Sequence, residues 1–422
     1  MKHIFNFQFL IFTLLSALCS PLFAQGSIYS QFGVGELQTS SNARNVSMSG
    51  INITTFSKNS INLFSPSTIG EINRTVFSAG FAYEGVQMKD ATNSSFLSKG
   101  IFSGASLAFP VYSPKNIVFG IGLLPFSRVD YEVKNSASQL GINYTTKHLG
   151  SGGLSQFVSA ISYKPLSQLQ LGISYNYIFG TIKNTENFLS YSFQTVSTNT
   201  TLSQHYGGNS FRIGLLYSAN QEILGLQNLN IGAQISPSIS LKTENDSLIE
   251  YFSTDNIYET PSSQFSSSSD SYTTTFPMIM NFGISGQLNE RFLLGTEIEL
   301  QQWKNFKVNV IHPTNLENSF RFSLGGEYVS SKEFTSPYTS RIAYRFGFHY
   351  AKTPYYINST TINETGISAG FGFPIAGDSR LNIAFQMSMR GTTDANLLKE
   401  NSFGLHISFD GNELMFIRPE KE

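Results

Sequence analysis

The chain lacks the long hydrophobic runs that membrane helices require. After residue 24, no stretch approaches the roughly 20 consecutive apolar residues of a membrane-spanning helix. Charged residues make up only 13% of the 422 residues, whereas about a quarter of an ordinary soluble domain is charged. The net charge of −1 gives no electrostatic reason to expect a nucleic acid partner. The composition therefore argues against a helical membrane protein and against an ordinary soluble domain.

Cysteine is almost absent, which limits the chemistry and the covalent cross-links that the chain can have. The single Cys19 lies in a segment organised like a secretory signal peptide, with a basic start at Lys2, mostly apolar residues 4–18 and a small-residue cleavage site after Ala24. We expect residues 1–24 to be removed on export; a lipoprotein cleavage before Cys19 is the alternative. The mature chain then has no thiol, which excludes disulfides, thiol catalysis and cysteine metal sites.

Aromatic residues are abundant instead, with 37 Phe and 20 Tyr. Residues 169–180 show how they are arranged. The odd positions from Leu169 to Phe179 are apolar and end in aromatics, whereas the even positions, apart from Ile178, are small or polar and uncharged. Because side chains alternate across a strand, this stretch predicts a strand with one apolar and one polar face. Such strands are typical of a barrel with lipid outside and a polar lumen inside.

The same alternation recurs about 14 times from residue 75 onward, an even number, as in single-chain bacterial barrels. A soluble β-propeller is the rival fold, but its blades would carry a repeated sequence signature, and none is found. The predicted fold class is therefore all-β, a 14-stranded antiparallel transmembrane β-barrel. The predicted strand cores are 75–83, 101–112, 117–131, 155–164, 168–184, 206–218, 229–241, 275–288, 291–302, 318–330, 340–353, 364–374, 379–391 and 401–410. Long polar loops are predicted at 84–100, 132–152, 185–205, 242–274, 303–317, 354–363 and 392–400.

Residues 25–74 lack this alternation and predict irregular structure with one short helix at most. An N-terminal segment of this kind before 14 strands resembles the long-chain fatty-acid transporter (FadL-type) family of outer-membrane proteins. Residues 29–36, Tyr-Ser-Gln-Phe-Gly-Val-Gly-Glu, are similar to the hatch opening of one branch, and residues 44–50, Arg-Asn-Val-Ser-Met-Ser-Gly, to its following glycine motif. Asn62 and Pro66 lie where the family has an Asn-Pro-Ala-type motif, although three residues separate them and no alanine follows.

The resemblance implies a domain organisation and a function. Residues 1–24 would be the signal peptide, 25–74 an N-terminal hatch (plug) in the lumen, and 75–422 the barrel in the outer membrane of a gram-negative cell. Hydrophobic, fatty-acid-like molecules would pass the hatch and leave sideways through the wall. Some barrels resembling this family instead serve type IX protein secretion, so a protein-export component with a secretion-system partner is the alternative. The residues assigned to the hatch are Gly33, Gly35, Gly50, Asn62 and Pro66.

The third predicted strand holds a candidate lateral gate at Gly120, Gly122 and Pro125. Proline cannot donate a ladder hydrogen bond and is normally confined to sheet edges and bulges. A closed barrel has no edge, so we expect a local gap in the wall at Pro125, and the resemblance places the family's lateral exit at a kink in the third strand. The alternative is a bulge that only bends the strand. For Pro237, on the seventh strand, we predict such a bulge.

Inward-facing charge concentrates on strands nine to eleven, and aromatic residues recur in the predicted loops. We predict that the charged residues form a satisfied lumen network; the alternative is that they hold the hatch or line the exit path. The loop aromatics are candidates for binding an apolar ligand. The charged set is Glu297, Glu299, Arg321, Glu327, Arg345 and His349. The loop set is Phe96, Phe188, Tyr191, Phe193 and Tyr258.

No constellation for catalysis is found. Residues 366–370 match the G-x-S-x-G pattern, but Ser368 lies within a predicted strand, whereas a nucleophile elbow needs a strand-turn-helix corner. No metal-ligand spacing is present. We predict no catalytic residue, metal or cofactor, and partners limited to outer-membrane lipid, a hydrophobic ligand or the export partner. A barrel enzyme is the remaining rival, which a hydrolase assay would test.

Overall fold

The computed structural model describes residues 26–40, 42–90, 93–139, 142–190, 196–219, 221–222, 225–252, 261, 263–268, 271–375, 378–394 and 397–413. The predicted signal peptide lies outside these residues. Within them, no helix is both long enough and apolar enough to cross a membrane.

Fourteen antiparallel strands form a sheet that closes on itself. The last strand pairs with the first from Lys399↔Lys89 to Glu413↔Thr75, which closes the ring. The predicted strand number and class are therefore confirmed. The strands are β1 (Thr75–Lys89), β2 (Ser94–Tyr112), β3 (Ile117–Gln139), β4 (Ile142–Leu166), β5 (Leu169–Ser190), β6 (Ser197–Ser218), β7 (Gln227–Ser236 and Ile239–Phe252), β8 (Ser263–Ser268, Tyr272–Phe276 and Ile279–Asn289), β9 (Phe292–Gln301), β10 (Ser319–Val329), β11 (Ala343–Ile357), β12 (Thr360–Pro374), β13 (Arg380–Arg390) and β14 (Lys399–Glu413).

The two faces of the wall differ as the alternation predicts. On β5, Tyr175 and Tyr177 are 41% and 44% exposed, whereas Ser174 and Asn176 are 1% and 0% exposed. The same contrast recurs around the ring, where large apolar side chains face outward. Since aromatic and branched residues both favour strands and suit contact with acyl chains, one alternating pattern specifies strand and membrane face together.

Several predicted loops are in fact strand. Residues 132–139 pair with 142–149, and residues 184–188 of β5 pair with 198–202 of β6. The loop predictions 132–152 and 185–205 are therefore wrong, and Phe96 and Phe188 lie in β2 and β5 rather than in loops. The physical reason is that these strand ends are polar on both faces. Hydrophobic alternation then disappears, although the backbone ladder continues.

The N-terminal residues 26–74 lie inside the ring and are called the lumen segment below. They include a short helix α1 (Ala43–Val46) and two 3₁₀ turns (Ile28–Gln31 and Thr68–Glu71). The segment contacts inward side chains on strands from different sides of the ring. The amide of Ser49 donates to the hydroxyl of Ser368 on β12 at 3.0 Å, and the hydroxyl of Ser162 on β4 donates to the carbonyl of Ser67 at 3.3 Å.

Glycine on the inner face lets this segment approach the wall. A Cβ atom added to Gly172 of β5 would lie 2.2 Å from the amide nitrogen of Ser67, and one added to Gly347 of β11 would lie 2.5 Å from that of Ser49. Both distances are far below van der Waals contact. These inward positions therefore accommodate the backbone of the lumen segment rather than a side chain.

Candidate functional site: an opening in the wall at strand β3

The ladder between β2 and β3 stops part of the way along the two strands. Pairing runs from Tyr112↔Ile117 to Ala105↔Leu123. Beyond this point, residues 94–104 of β2 pair only with β1, and β3 continues its ladder with β4. In the described parts of the two strands, the barrel wall is therefore open between β2 and β3.

Irregularities in both strands mark the start of the opening. The pairing of β3 with β4 shifts register between Pro125 and Ser127, so Phe126 is an extra residue. The pairing of β1 with β2 shifts beside Gly104, which has a φ of +123°. A Cβ atom on Gly104 would lie 2.7 Å from the Leu124 side chain. Because bulges bend a strand and end its pairing, the two strands separate here.

The lumen segment covers the exposed edge of β3. Glu36 and Leu37 form a two-residue strand in antiparallel register with Arg128 and Ser127. The Gln38 amide donates to the Phe126 carbonyl at 2.9 Å. Residues 26–38, called the clasp below, thus take the position that β2 would occupy in a regular ladder.

Gly35 permits the close approach of the clasp. Its φ is +86°, and an added Cβ atom would lie 2.1 Å from the Arg128 carbonyl oxygen. Both the backbone conformation and the lack of space require glycine at this position.

Two ion pairs bridge the opening behind the clasp. The Arg128 guanidinium lies 2.7 Å from the Glu84 carboxylate of β1, and the Lys99 ammonium of β2 contacts the Asp130 carboxylate. All four side chains are partly buried. Side-chain contacts therefore replace the missing backbone ladder across this part of the wall.

The other side of the clasp is held by Arg390 of β13. Its guanidinium contacts Glu36 of the clasp and lies 2.5 Å from Glu364 of β12. Glu400 of β14, fully buried, accepts hydrogen bonds from the Ser27 hydroxyl at 2.7 Å and the Ile28 amide at 2.8 Å. The clasp is therefore fastened to both β3 and β12–β14.

Tyr29 anchors the clasp near its start. Its hydroxyl donates to the Leu398 carbonyl at 2.6 Å, and its ring stacks on Tyr355 with centroids 5.6 Å apart. Burial, with the nearby Glu400 carboxylate, raises the pKa of Tyr29 to about 12. The hydroxyl therefore stays protonated and keeps donating its hydrogen bond throughout the physiological range.

A polar cavity of about 200 Å³ lies beside the clasp. Its lining includes Ser27, Gln38, Asp130, Glu364 and His406. The lining of this cavity therefore consists mostly of hydrogen-bonding and charged groups.

On its other side the clasp borders an apolar cluster inside the lumen. Phe126 contacts Phe276 of β8 at 5.7 Å between ring centroids, Phe276 contacts Phe306 at 5.8 Å, and Phe306 contacts Trp303 at 5.5 Å. Val34 of the clasp is buried in the same cluster. We call these residues and the side chains buried with them the apolar lumen cluster. It is a packed group of apolar side chains next to the wall opening.

Of the three residues of the predicted lateral gate, only Pro125 lies at the opening. Pro125 lies at the start of the opening. Gly120 and Gly122 lie where β3 is paired on both sides, and an added Cβ atom would come within 2.8 and 2.7 Å of the Leu63 side chain. These two glycines therefore make room for the lumen segment. At Pro237 the strand is interrupted, but both of its parts pair with β6 and β8, and the wall stays closed.

The predicted charge network divides into separate contacts. Glu327 pairs with Arg345 at 2.6 Å, directly across the ladder, and with Arg44 of α1 at 3.3 Å. His349 lies 3.0 Å from Glu364. Sequence inspection did not assign Arg44, Glu364, Arg390 or Glu400 to the network, because it considered only strands nine to eleven, whereas Glu364, Arg390 and Glu400 lie on the last three strands and Arg44 lies in the lumen segment.

The remaining charged residues contact the lumen segment or amide side chains. Glu297 accepts hydrogen bonds from the amides of Asn52 at 2.6 Å and Ile53 at 3.1 Å. Arg321 donates to the Ser49 carbonyl at 3.3 Å, and Glu299 accepts from Asn281 at 3.0 Å. Charged residues of the wall thus hold the segment at several points.

The predicted hatch residues shape the turns of the lumen segment. Gly33 and Gly50 have φ angles of +66° and +81°. The Asn62 side chain accepts from the Phe64 amide at 3.1 Å and donates to the Asn52 carbonyl at 3.2 Å. Pro66 packs against the bare backbone of Gly172.

Of the predicted ligand aromatics, the structure describes Phe96 and Phe188, which lie in different strands, β2 and β5. Phe96 is 60% exposed, and Phe188 packs on Tyr144 with centroids 5.4 Å apart. Tyr191, Phe193 and Tyr258 lie outside the described residues. The apolar lumen cluster consists of other aromatic residues. The one sequence signal for this cluster was Trp303, the single tryptophan of the chain, which is followed closely by Phe306.

The described residues contain no group of three or more His, Cys, Asp or Glu side chains that could hold a metal ion. Ser368 hydrogen-bonds with Ser47 and Ser49 of the lumen segment. This serine therefore serves to hold the segment against β12.

Comparison with solved structures identifies the fold. The toluene transporter TodX of Pseudomonas putida has a TM-score of 0.61 at 16% identity, covering 89% of this chain and 98% of that one. A FadL homologue of Pseudomonas aeruginosa has a TM-score of 0.59 at 11% identity, with 89% and 98% covered. The monoaromatic hydrocarbon channel CymD has a TM-score of 0.56 at 12% identity, with 90% and 99% covered. No curated protein matches the chain.

The described residues thus form a closed 14-stranded barrel with an apolar outer face and a wall opening at the third strand, and this barrel has the fold of the FadL-type structures. The sequence assigns the chain more narrowly. Its residues 4–420 match the BamG family, and the chain belongs to that family.

Proposed function

We propose that the protein passes hydrophobic small molecules, fatty-acid-like in character, across the outer membrane of a gram-negative cell. The observation that carries this proposal is the opening between β2 and β3 with the apolar lumen cluster directly behind it. The solved structures with this fold include proteins described as a toluene transporter and a monoaromatic hydrocarbon channel. A nonpolar molecule that buries its surface in such a cluster is stabilised by about 25 cal/mol per Å² of buried surface.

The proposed path uses the lumen segment as a hatch. A ligand enters from the loop side by displacing the Trp303–Phe306 connection and occupies the apolar lumen cluster. It leaves sideways when the clasp detaches from β3, with Pro125 at the edge of the exit. No covalent chemistry is required. Signal cleavage after Ala24 and insertion from the periplasm belong to the same proposal.

A second candidate function is supported by the polarity of the opening. The cavity beside the clasp is lined by charged and hydroxyl groups, which suit a polypeptide better than a hydrocarbon. Strands β3 to β6 also continue as a sheet that is polar on both faces. In this alternative, the barrel is a binding component of a protein-export system.

Native mass spectrometry of protein gently extracted from its own outer membrane distinguishes the transport function from the protein-export function. A bound apolar small molecule, lost in a Phe306→Ser variant but retained in a Phe96→Ser variant, supports transport. Phe96 is an outward-facing aromatic far from the cluster and serves as the matched control. A stoichiometric protein partner with an empty barrel would instead favour export.

A further inference from the structure

The connections β10–β11 and β12–β13 meet at the end of the barrel where turns of two to four residues join β2 to β3, β4 to β5 and β8 to β9. The β10–β11 connection contains a short helix α2 (Tyr338–Arg341). The Tyr338 hydroxyl donates to the Pro374 carbonyl at 3.1 Å, which joins the two connections. Outer-membrane barrels have their shorter connections at the periplasm and their longer ones outside, and the opposite end of this barrel carries the long polar hairpins in which residues 132–139 pair with 142–149 and residues 184–188 pair with 198–202. This junction therefore lies at the periplasmic rim.

A small cavity of about 50 Å³ lies in the junction. It is lined by three cations, Lys332, Arg341 and Arg380, and by the hydroxyl-bearing Ser331 and Ser379. We call it the rim cavity. Its size suits a single phosphate or carboxylate group rather than an extended ligand.

Of the cations that line the rim cavity, Arg380 lies near the carboxylates of Glu327, Asp378 and Asp410, whereas Lys332 and Arg341 have no carboxylate partner among the described residues. The one carboxylate in the lining, Asp378, is already paired with Arg74 at 2.8 Å. The Nε atom of Arg341 is buried and has no hydrogen-bond partner. An unpaired buried donor of this kind is destabilising. An anion held against the rest of the Arg341 guanidinium would offset this by accepting hydrogen bonds from it.

The residues around the rim cavity indicate which anion would bind in it. Outward-facing aromatics are grouped next to the junction: Tyr328 lies 6.5 Å from Tyr344, and Tyr344 lies 5.8 Å from Phe371. Aromatic girdles mark the two membrane–water interfaces of a barrel. Phe334 and Tyr338, on the junction itself, are 65% and 48% exposed. The rim cavity therefore lies at headgroup depth, where phosphodiesters of the periplasmic leaflet are concentrated.

We propose that the rim cavity binds the phosphate of a phospholipid headgroup. The Arg341 guanidinium, held 5.5 Å above the Tyr338 ring, donates to a phosphate oxygen, while Lys332 and Arg380 balance its charge. The acyl chains lie along the exposed aromatics of the rim. This site is separate from the wall opening at β3 and holds the periplasmic rim at a fixed depth in the membrane.

Native mass spectrometry of the full mature barrel in detergent tests the site. Phosphatidylglycerol is added to wild type, to the Lys332→Gln/Arg341→Gln variant and to a Lys115→Gln control. Lys115 is an exposed cation on the short turn Ser113–Lys115, at the same rim but outside the cavity. We expect one retained phosphatidylglycerol per wild-type barrel, about tenfold less in the double variant, and no change in the control.

Further probes on the wild-type protein distinguish the source of the phosphate. Diacylglycerol, which has the acyl chains but no phosphate, should not be retained, and millimolar inorganic phosphate should not displace the lipid. Equal retention of diacylglycerol would overturn the proposal, as would unchanged lipid binding in the double variant. Displacement by inorganic phosphate would contradict the lipid assignment. Heat-modifiable electrophoretic mobility checks that each variant is folded.

Discussion

A disulfide between positions 37 and 127 should lock the clasp to β3 and stop transport. Leu37 and Ser127 are register partners, and the hydrogen bond from Gln38 to Phe126 makes the neighbouring 37:127 pair a non-hydrogen-bonded one. Such pairs have Cα atoms about 4.5 Å apart, within the range of roughly 4.4–6.8 Å that a disulfide accepts. Because the only cysteine is Cys19 in the predicted signal peptide, no competing thiol remains.

The structure indicates how much free energy the lock adds. The clasp is held by backbone hydrogen bonds to β3, worth about 1 kcal/mol each, and by hydrogen bonds to the Glu400 carboxylate, worth about 1.5–3 kcal/mol each. Together these give about 5–8 kcal/mol, so between roughly one molecule in several thousand and one in several hundred thousand has a detached clasp at any moment. A covalent bond removes this detached population.

The assay is uptake of a radiolabelled fatty acid and of toluene by cells whose only copy is the Leu37→Cys/Ser127→Cys variant. We expect a loss of tenfold or more after oxidation and full recovery after reduction. A Ser138→Cys/Asn143→Cys variant, in which the disulfide joins register partners near the tip of the β3–β4 hairpin, should transport normally in both states. Uptake at the wild-type rate by the oxidised 37/127 form would refute an exit through the clasp.

Three further predictions concern the opening and its supports. Pro125→Val should reduce uptake without unfolding the barrel, since it restores an amide donor at the start of the opening; Pro237→Val, where the wall is closed, should leave uptake unchanged. Arg390→Gln should release the clasp, because the buried carboxylates around Arg390 lose their cation, at a cost of about 3–5 kcal/mol. Rapid hydrogen exchange of residues 26–38 would report the release, and unchanged protection of these amides would contradict the prediction. Glu297→Ala should leave two buried amides unsatisfied, at about 1–3 kcal/mol each, and speed exchange at those two amides, whereas Glu297→Gln, which keeps an acceptor, should have a smaller effect.

The structure also changes how the gate can be tested. Replacing Gly120 and Gly122 by valine together with Pro125 would place side chains against Leu63 and disturb the lumen segment. A loss of uptake in that triple variant would then have two causes. The single change at Pro125 separates wall geometry from packing of the segment.

The alternating pattern of residues such as Leu169 to Phe179 was sufficient to predict the class, the strand number and the outward face. This succeeded because a strand with lipid on one side and a filled lumen on the other must alternate with period two. The pattern could not define the outer strand ends, where both faces are polar and the periodicity vanishes, as at 132–139 and 142–149.

Composition and alternation were enough to predict the barrel, an export signal and the unusual third strand. What occupies the opening at Pro125 follows from the fold and not from any local pattern, since Glu36 contacts Arg390 and Ser27 donates a hydrogen bond to Glu400 across more than 350 residues of chain. Such contacts depend on how the lumen segment enters the closed ring, and no local pattern encodes them. The same holds for the rim cavity, whose cations lie on the β10–β11 connection and at the start of β13 and are brought together by the pairing of β10 to β13.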